Sequence, residues 1–143
     1  MHLELEIIWN KWPMVNWKQI HLFLEENEKI ATILFDNSNN VIQLENLYVL
    51  DKNNFDKWYW RVLIIAFLKY LEYIKEEFER IEWWVEGNDL PLWYIWGKLW
   101  FTFEEDEYFL DCDFYLEKKN IQTVIKNLLE KNKIEMNFDL IKN

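Results

Sequence analysis

The chain has 143 residues and a mass of 18.0 kDa, with 51% apolar and 19% aromatic residues. That is enough apolar surface for one packed domain and too much for a disordered or collagen-like chain. The formal charge of -10, from 26 acids against 16 bases, disfavours nucleic acid and anionic membranes as partners and favours cationic or amine-bearing ones. The longest uninterrupted apolar run, Val62 to Leu68, is far shorter than the ~20 residues of a membrane span. Met1-His2-Leu3-Glu4-Leu5-Glu6 puts acids where a signal peptide carries positive charge. One cysteine, Cys112, allows no internal disulfide and fits a reducing compartment, so a cytoplasmic location is expected.

Residues 1–9 alternate apolar and polar and predict a strand. Residues 10–17 are polar around Pro13 and predict a loop. Gln19 to Leu24 and Ile30 to Phe35 read as a hairpin about the turn Glu25-Glu26-Asn27-Glu28. Asp36-Asn37-Ser38-Asn39-Asn40 is a second turn cluster. Val41 to Leu50 follows as a strand, apolar at Ile42, Leu44, Tyr48 and Leu50, with Glu45 on its other face. Asp51 to Lys57 is a polar loop.

From Trp60 to Phe78 the period becomes helical, with Leu63, Phe67, Leu68, Leu71, Ile74 and Phe78 on one face. Ile81 to Val85 is a strand, and Glu86-Gly87-Asn88-Asp89 a turn with Asp89 placed to cap a short helix, Leu92 to Leu99. Phe101 to Phe103 and Tyr108 to Leu116 are strands around the acidic turn 104–107. Helix resumes after Glu117, where Ile121, Val124, Ile125, Leu128 and Leu129 keep helical spacing. The fold class is α+β: a mixed, mostly antiparallel sheet of six or seven strands with helices on its faces. The chain reads as a single domain over 1–143, with 118–143 a C-terminal helical extension.

One feature of the composition is abnormal. Glycine is expected at ~7% of residues, yet the chain has 2 glycines and 10 tryptophans. Several tryptophans fall in stretches that read as turns: Lys11-Trp12-Pro13, Asn16-Trp17-Lys18 and Lys57-Trp58-Tyr59-Trp60. There the positive φ of glycine is useful and an indole is not.

The order of elements, with particular stretches within it, resembles the GNAT acetyltransferase superfamily over roughly residues 18–117. Leu44-Glu45-Asn46-Leu47-Tyr48-Val49 is similar to that family's fourth strand, ahead of its coenzyme A loop. Phe55-Asp56-Lys57-Trp58-Tyr59-Trp60 stands where the family has Arg/Gln-x-x-Gly-x-Gly/Ala, and the helix from Arg61 follows. Arg80 to Val85 and then Asn88 resemble the fifth strand and its asparagine. Ile95-Trp96-Gly97-Lys98-Leu99-Trp100-Phe101 resembles the family's ending, aromatic-x-x-Leu-Gly-Phe. The early helical region is nearly absent, as in short members.

The departures are systematic. Trp58, Trp60 and Trp100 stand at signature glycines, and Phe55 replaces the opening Arg/Gln. The tryptophan codon UGG and the codon UGA each differ from a glycine codon by one base. UGA is read as stop, tryptophan or glycine in different lineages. Fourteen lysines against two arginines, with fifteen asparagines, suggest an AT-rich genome in which UGA is frequent. An alternative genetic code, with UGA meaning glycine, would account for most of the tryptophans and is the reading expected here. A family member that lost its cofactor loop, and a coincidence on another fold, stand as alternatives.

The resemblance implies acyl transfer from acetyl-CoA to an amine on a small-molecule or protein acceptor. It also implies a pyrophosphate held by backbone N–H groups at a helix N-terminus. The cofactor-binding residues it implies are Leu47, Tyr48, Val49, Lys57, Trp58, Tyr59, Trp60, Arg61 and Asn88. Indoles at 58 and 60 are expected to fill the phosphate groove, which predicts weak acetyl-CoA binding by the chain as written. For catalysis it implies Glu45 as base and, since the family's tyrosine acid falls at Trp96, Tyr94 as substitute acid two residues away. A catalytically inactive GNAT-like binding or interaction domain is the alternative function. Glu45 also reads as a solvent-facing strand residue, Tyr94 as a packed aromatic, and Lys57 and Arg61 as solvated cations. No metal set is read: Asp36-x-Ser38-x-Asn40 lacks the glycine and closing glutamate of a calcium loop, and His2 and His21 are too isolated for zinc. Cys112 has no histidine partner in the sequence pattern.

Overall fold

The structure, a computed structural model, describes residues 2–11, 14–23, 28–50, 59–74, 77–86, 102–105 and 111–132. Within them one sheet holds seven strands. They are β1 (His2–Lys11), β2 (Met14–Phe23), β3 (Lys29–Ser38), β4 (Val41–Val49), β5 (Arg80–Glu86), β6 (Thr102–Glu105) and β7 (Asp111–Glu117). Two helices accompany them, α1 (Tyr59–Ile74) and α2 (Ile121–Asn132). The order across the sheet is β1-β2-β3-β4-β5-β7-β6. Every neighbouring pair is antiparallel except β4 and β5. A helical crossover joins those two, which is the connection a parallel pair requires.

Of the loop expected over 10–17, residues 10–11 and 14–17 are strand. β1 runs to Lys11 and β2 starts at Met14, with the register unbroken from His2↔Phe23 to Lys11↔Met14. A two-residue connection lets an antiparallel ladder continue to its tip. Paired backbone tolerates polar side chains that read as a loop in isolation, so Trp17 is a strand residue. The turn between β3 and β4 is tight, with Asn39 at φ 53° and Asn40 at φ 65°. Two positive φ values are the signature of a type I′ hairpin turn, and asparagine accepts them more readily than most residues.

β2, β3 and β4 present Ile20, Leu22, Ala31, Ile33, Phe35, Ile42 and Leu44 to α1. The Phe35 ring lies 4.7 Å from Phe67 and 5.9 Å from Tyr70. Val62 to Leu68 are all buried, so α1 is enclosed on every side over that stretch. Each such large side chain contributes ~1.5–3 kcal/mol through burial. α1 ends at Ile74, four residues before the expected Phe78. Glu77 and Glu79 lie outside the helix, and carboxylates near a helix C-terminus oppose its dipole. Phe78 is nonetheless buried, with the Lys118 ammonium 4.8 Å from its ring.

After β7, Lys118–Asn120 make one 3₁₀ turn and α2 begins at Ile121. Ile121, Val124, Ile125 and Leu128 are buried, and α2 packs on α1. Across that contact the Gln122 side-chain amide donates to the Glu72 carboxylate. β6 includes Glu104 and Glu105, which the sequence assigned to a turn; they pair with Asp113 and Cys112. An edge strand carries charge without cost to the core. The expected helix 92–99 lies outside the described residues. Among the described residues no helix is long and apolar enough to cross a membrane.

Candidate functional site

The parallel pair β4–β5 is short. Val41, Ile42 and Gln43 pair with Arg80, Ile81 and Glu82, and there the ladder stops. Beyond it each strand keeps its outer neighbour: β4 stays with β3 as far as Val49↔Ala31, and β5 stays with β7 as far as Glu86↔Asp111. Among the described residues no strand pairs with the inner edge of Leu44–Val49, so the strands part into a wedge.

The closed end of the wedge is tied. Glu79 N–H donates to the Asn40 carbonyl at 2.8 Å, and Lys118 N–H to the Glu79 carbonyl at 3.1 Å. Gln43 Nε2 donates to Glu82 Oε2 at 3.1 Å, and Arg80 Nη2 lies 2.5 Å from Glu82 Oε1. The Arg80 guanidinium also sits 5.7 Å from the centre of the Tyr115 ring.

At the point of parting β4 carries a bulge. Phe35 pairs with Leu44 and Leu34 with Asn46, so Glu45 is the extra residue. The bulge resets the alternation of the strand. Leu47 and Val49, not Tyr48 and Leu50, pack against the core, and Leu50 is 54% exposed. This corrects the simple alternation expected for Val41–Leu50, because one inserted residue flips every later side chain. Glu45 is exposed as a whole, yet its pKa is raised above the ordinary glutamate value. The causes are loss of water around the carboxyl, then the Asp36 charge, then a hydrogen bond with Asp36.

Asp36, on β3, pairs in register with Gln43 and is 7% exposed. Burial raises its pKa too, while the Glu45 hydrogen bond and its own backbone oppose that rise. Among the described residues Asp36 Oδ1 has no hydrogen-bond partner.

The helix enters at the open end. α1 returns the chain from the end of β4 to the start of β5, so its N-terminus lies toward the ends of β4 and β5 that part. It starts at Tyr59, and its first turn holds no acid. The first N–H groups of a helix have no intrahelical acceptor and carry the positive end of its dipole. Tyr59 is 7% exposed and belongs to the core. Trp60 is half-buried against the core, with the Arg61 guanidinium 4.8 Å from its ring centre.

Leu47, Tyr48, Val49, Glu45 and the start of α1 are thus brought to one region by β4 and the helix that follows it. Lys57, Trp58, Asn88 and Tyr94 lie outside the described residues, as do Trp96 and Trp100. Sequence reasoning missed Asp36, which it assigned to a turn cluster, and the Gln43–Glu82–Arg80 clasp. The signal for Asp36 was its place directly after the apolar run Ile30 to Phe35, which permits the strand to continue. Trp83 is 6% exposed and part of the core, a position where an indole packs well.

No protein-family model and no curated protein matches the sequence. Solved structures do match. A probable acetyltransferase from Staphylococcus epidermidis ATCC 12228 is 23% identical, with a TM-score of 0.56 over 71% of this chain and 67% of the other. The spermidine/spermine N-acetyltransferase SpeG from Vibrio cholerae, in mutant forms, is 11% identical, with a TM-score of 0.60 over 75% and 70%. An acetyltransferase of the GNAT family from Staphylococcus aureus Mu50 is 13% identical, with a TM-score of 0.60 over 71% and 68%. At these identities the likeness is one of fold.

Proposed function

We propose that this chain, whose fold is that of the GNAT acetyltransferases, transfers an acetyl group from acetyl-CoA to an amine in the cytoplasm. The observation that carries the reading is the wedge: a parallel pair that parts after Gln43↔Glu82, with a helix N-terminus at its open end. An extended arm can pair with the backbone edge of Leu47–Val49, which no strand among the described residues takes up, as an added strand would. Diphosphate suits the acid-free start of α1 at Tyr59, Trp60 and Arg61. Arg61 adds positive charge there, and Lys57 and Asn88 complete the proposed set. When bound, acetyl-CoA supplies a thioester carbonyl open to attack by an amine.

The protein's own part is proton handling. Glu45 accepts a proton from the acceptor ammonium, and its raised pKa brings it closer to the pH at which a base works best. Tyr94 is the proposed acid toward the departing thiolate. The acidic surface, with a net charge of -10, draws cationic amines to the site.

Tryptophan at 58 and 60 favours a second reading, a catalytically silent domain on the same fold. We link the two readings through the codons: UGA at 58, 60 and 100 would make these positions glycine in the native protein, and UGG would make them tryptophan. Calorimetry with acetyl-CoA tests the reading directly. The Trp58→Gly/Trp60→Gly/Trp100→Gly chain is expected to bind and the tryptophan chain to bind far more weakly. Failure of the glycine chain to bind would overturn the cofactor assignment.

A further inference from the structure

We infer that Asp36 is a positioning residue for Glu45, a buried carboxylate that receives in a shared hydrogen bond the proton Glu45 takes up. The inference rests on Glu45 as the proposed base. It stands on three features of the fold. The bulge at Glu45 breaks the β3–β4 register beside Asp36↔Gln43 and brings the two carboxyl groups together. Asp36 is 93% buried, as its 7% exposure gives, so its charge is poorly solvated. One of its oxygens, Oδ1, has no partner among the described residues.

Among the described residues the charged groups nearest the pair are engaged elsewhere. On β2 the nearest charged residue in register, Lys18, pairs with Phe35 and holds its ammonium 5.5 Å from the Tyr70 ring, on the α1 face. On β4 the neighbours Gln43 and Asn46 are uncharged. On β5 Glu82 and Arg80 are paired with each other at 2.5 Å. Among the described residues no cation shifts the pKa of either carboxyl. Two carboxylates so placed repel, and a proton on either one relieves the repulsion and bridges them.

The step balances simply. The acceptor ammonium breaks one N–H bond and keeps the electron pair as a neutral amine. The proton forms an O–H bond on Glu45, which donates to the Asp36 carboxylate. The pair passes from charge -2 to -1. Without Asp36 the same proton lands on a carboxylate raised by desolvation alone, with lower affinity than in the pair.

The test is a carboxyl titration by carbon-13 NMR on the full chain, labelled at aspartate and glutamate side chains. The Glu45 and Asp36 signals are expected to show the same two midpoints, as a coupled pair must. In Asp36→Asn the Glu45 signal is expected to titrate in one step, shifted down toward the ordinary glutamate range. A single-step Glu45 titration in the parent, or an unmoved midpoint in Asp36→Asn, would overturn the inference. The parent measurement needs no variant, so a poorly folded Asp36→Asn leaves it decisive. Failure of the base assignment looks different: the titrations stay coupled while Glu45→Gln transfers acetyl as fast as its parent.

Discussion

Gln43 and Glu82 face each other across β4 and β5, amide to carboxylate at 3.1 Å, and form the last register pair before those strands part. The hydrogen bond is part-buried, and Glu82 is held on its other oxygen by Arg80. It therefore sets where the wedge begins. Loss of one such bond to a charged group costs roughly 1.5–3 kcal/mol. Gln43→Ala and Glu82→Ala are each expected to lower stability by about that amount in urea unfolding. The double variant is expected to lose less than the sum, because both changes remove one interaction. Full additivity would mean that the wedge is fixed by its backbone bonds alone.

The second expectation concerns α2. Its buried stripe of Ile121, Val124, Ile125 and Leu128 has α1 as its partner within the chain. A twelve-residue helix is marginal alone and depends on that docking. Ile125→Ala is expected to cost about 2–4 kcal/mol, whereas Lys126→Ala, on the exposed side, should change stability by less than ~0.5 kcal/mol. Removal of 118–143 is expected to lower Tm. An unchanged Tm would show that the α1–α2 contact does not stabilise the fold.

Much of this architecture was legible in the sequence. The helical period through α1, the Asn39-Asn40 turn and the parallel β4–β5 crossover follow from patterns with one strong physical cause each. The tip of the β1–β2 hairpin, within residues 10–17, was not legible. Its residues are polar enough for a loop, and only pairing with each other makes them strands. The bulge was hidden for another reason. Alternation is read residue by residue, and one inserted residue at Glu45 shifts all that follows without changing composition. Asp36 was hidden with it, since its contact with Glu45 exists only once that register is known.

A pH effect follows from His21. It is 4% exposed, its Nδ1 lies 2.8 Å from Thr32 Oγ1, and its pKa is lowered, chiefly by burial and then by Lys29. The unfolded chain therefore binds more protons than the native one between the unfolded value of 6.5 and the lowered native value. Stability is full above 6.5 and is lost as pH falls through that window. His21→Gln, which can keep a hydrogen bond to Thr32, is expected to flatten this slope in urea midpoints taken between about pH 7 and 5. An equal slope in parent and variant would remove His21 as its cause.

Asp36 and Glu45 have the opposite sign. Their native pKa values lie above the unfolded 3.8 and 4.5, so the native state binds more protons and stability falls as pH rises through those values. Asp36→Asn is therefore expected to be more stable than the parent at neutral pH, with the gain vanishing at acid pH. A gain in stability joined to slower transfer is the trade expected where a charge is kept buried for chemistry. A variant less stable than its parent at pH 7 would show that Asp36 is held by favourable contacts instead.

The last expectation separates base from binding. In the Trp58→Gly/Trp60→Gly/Trp100→Gly background, Glu45→Gln keeps the size of the side chain and removes its affinity for a proton. Glu45 sits on the β4 bulge, before the edge Leu47–Val49 that is proposed to hold the cofactor arm. Affinity for acetyl-CoA should therefore be nearly unchanged by calorimetry. Transfer to an amine should slow by roughly 10²–10⁴-fold, the usual contribution of a general base. The loss should appear in kcat, because the proton moves only as the amine reacts. It should shrink as pH rises, since an amine already neutral needs no base. A loss of acetyl-CoA affinity without a loss of kcat would instead make Glu45 part of the cofactor's seat. Unchanged transfer would leave deprotonation to water.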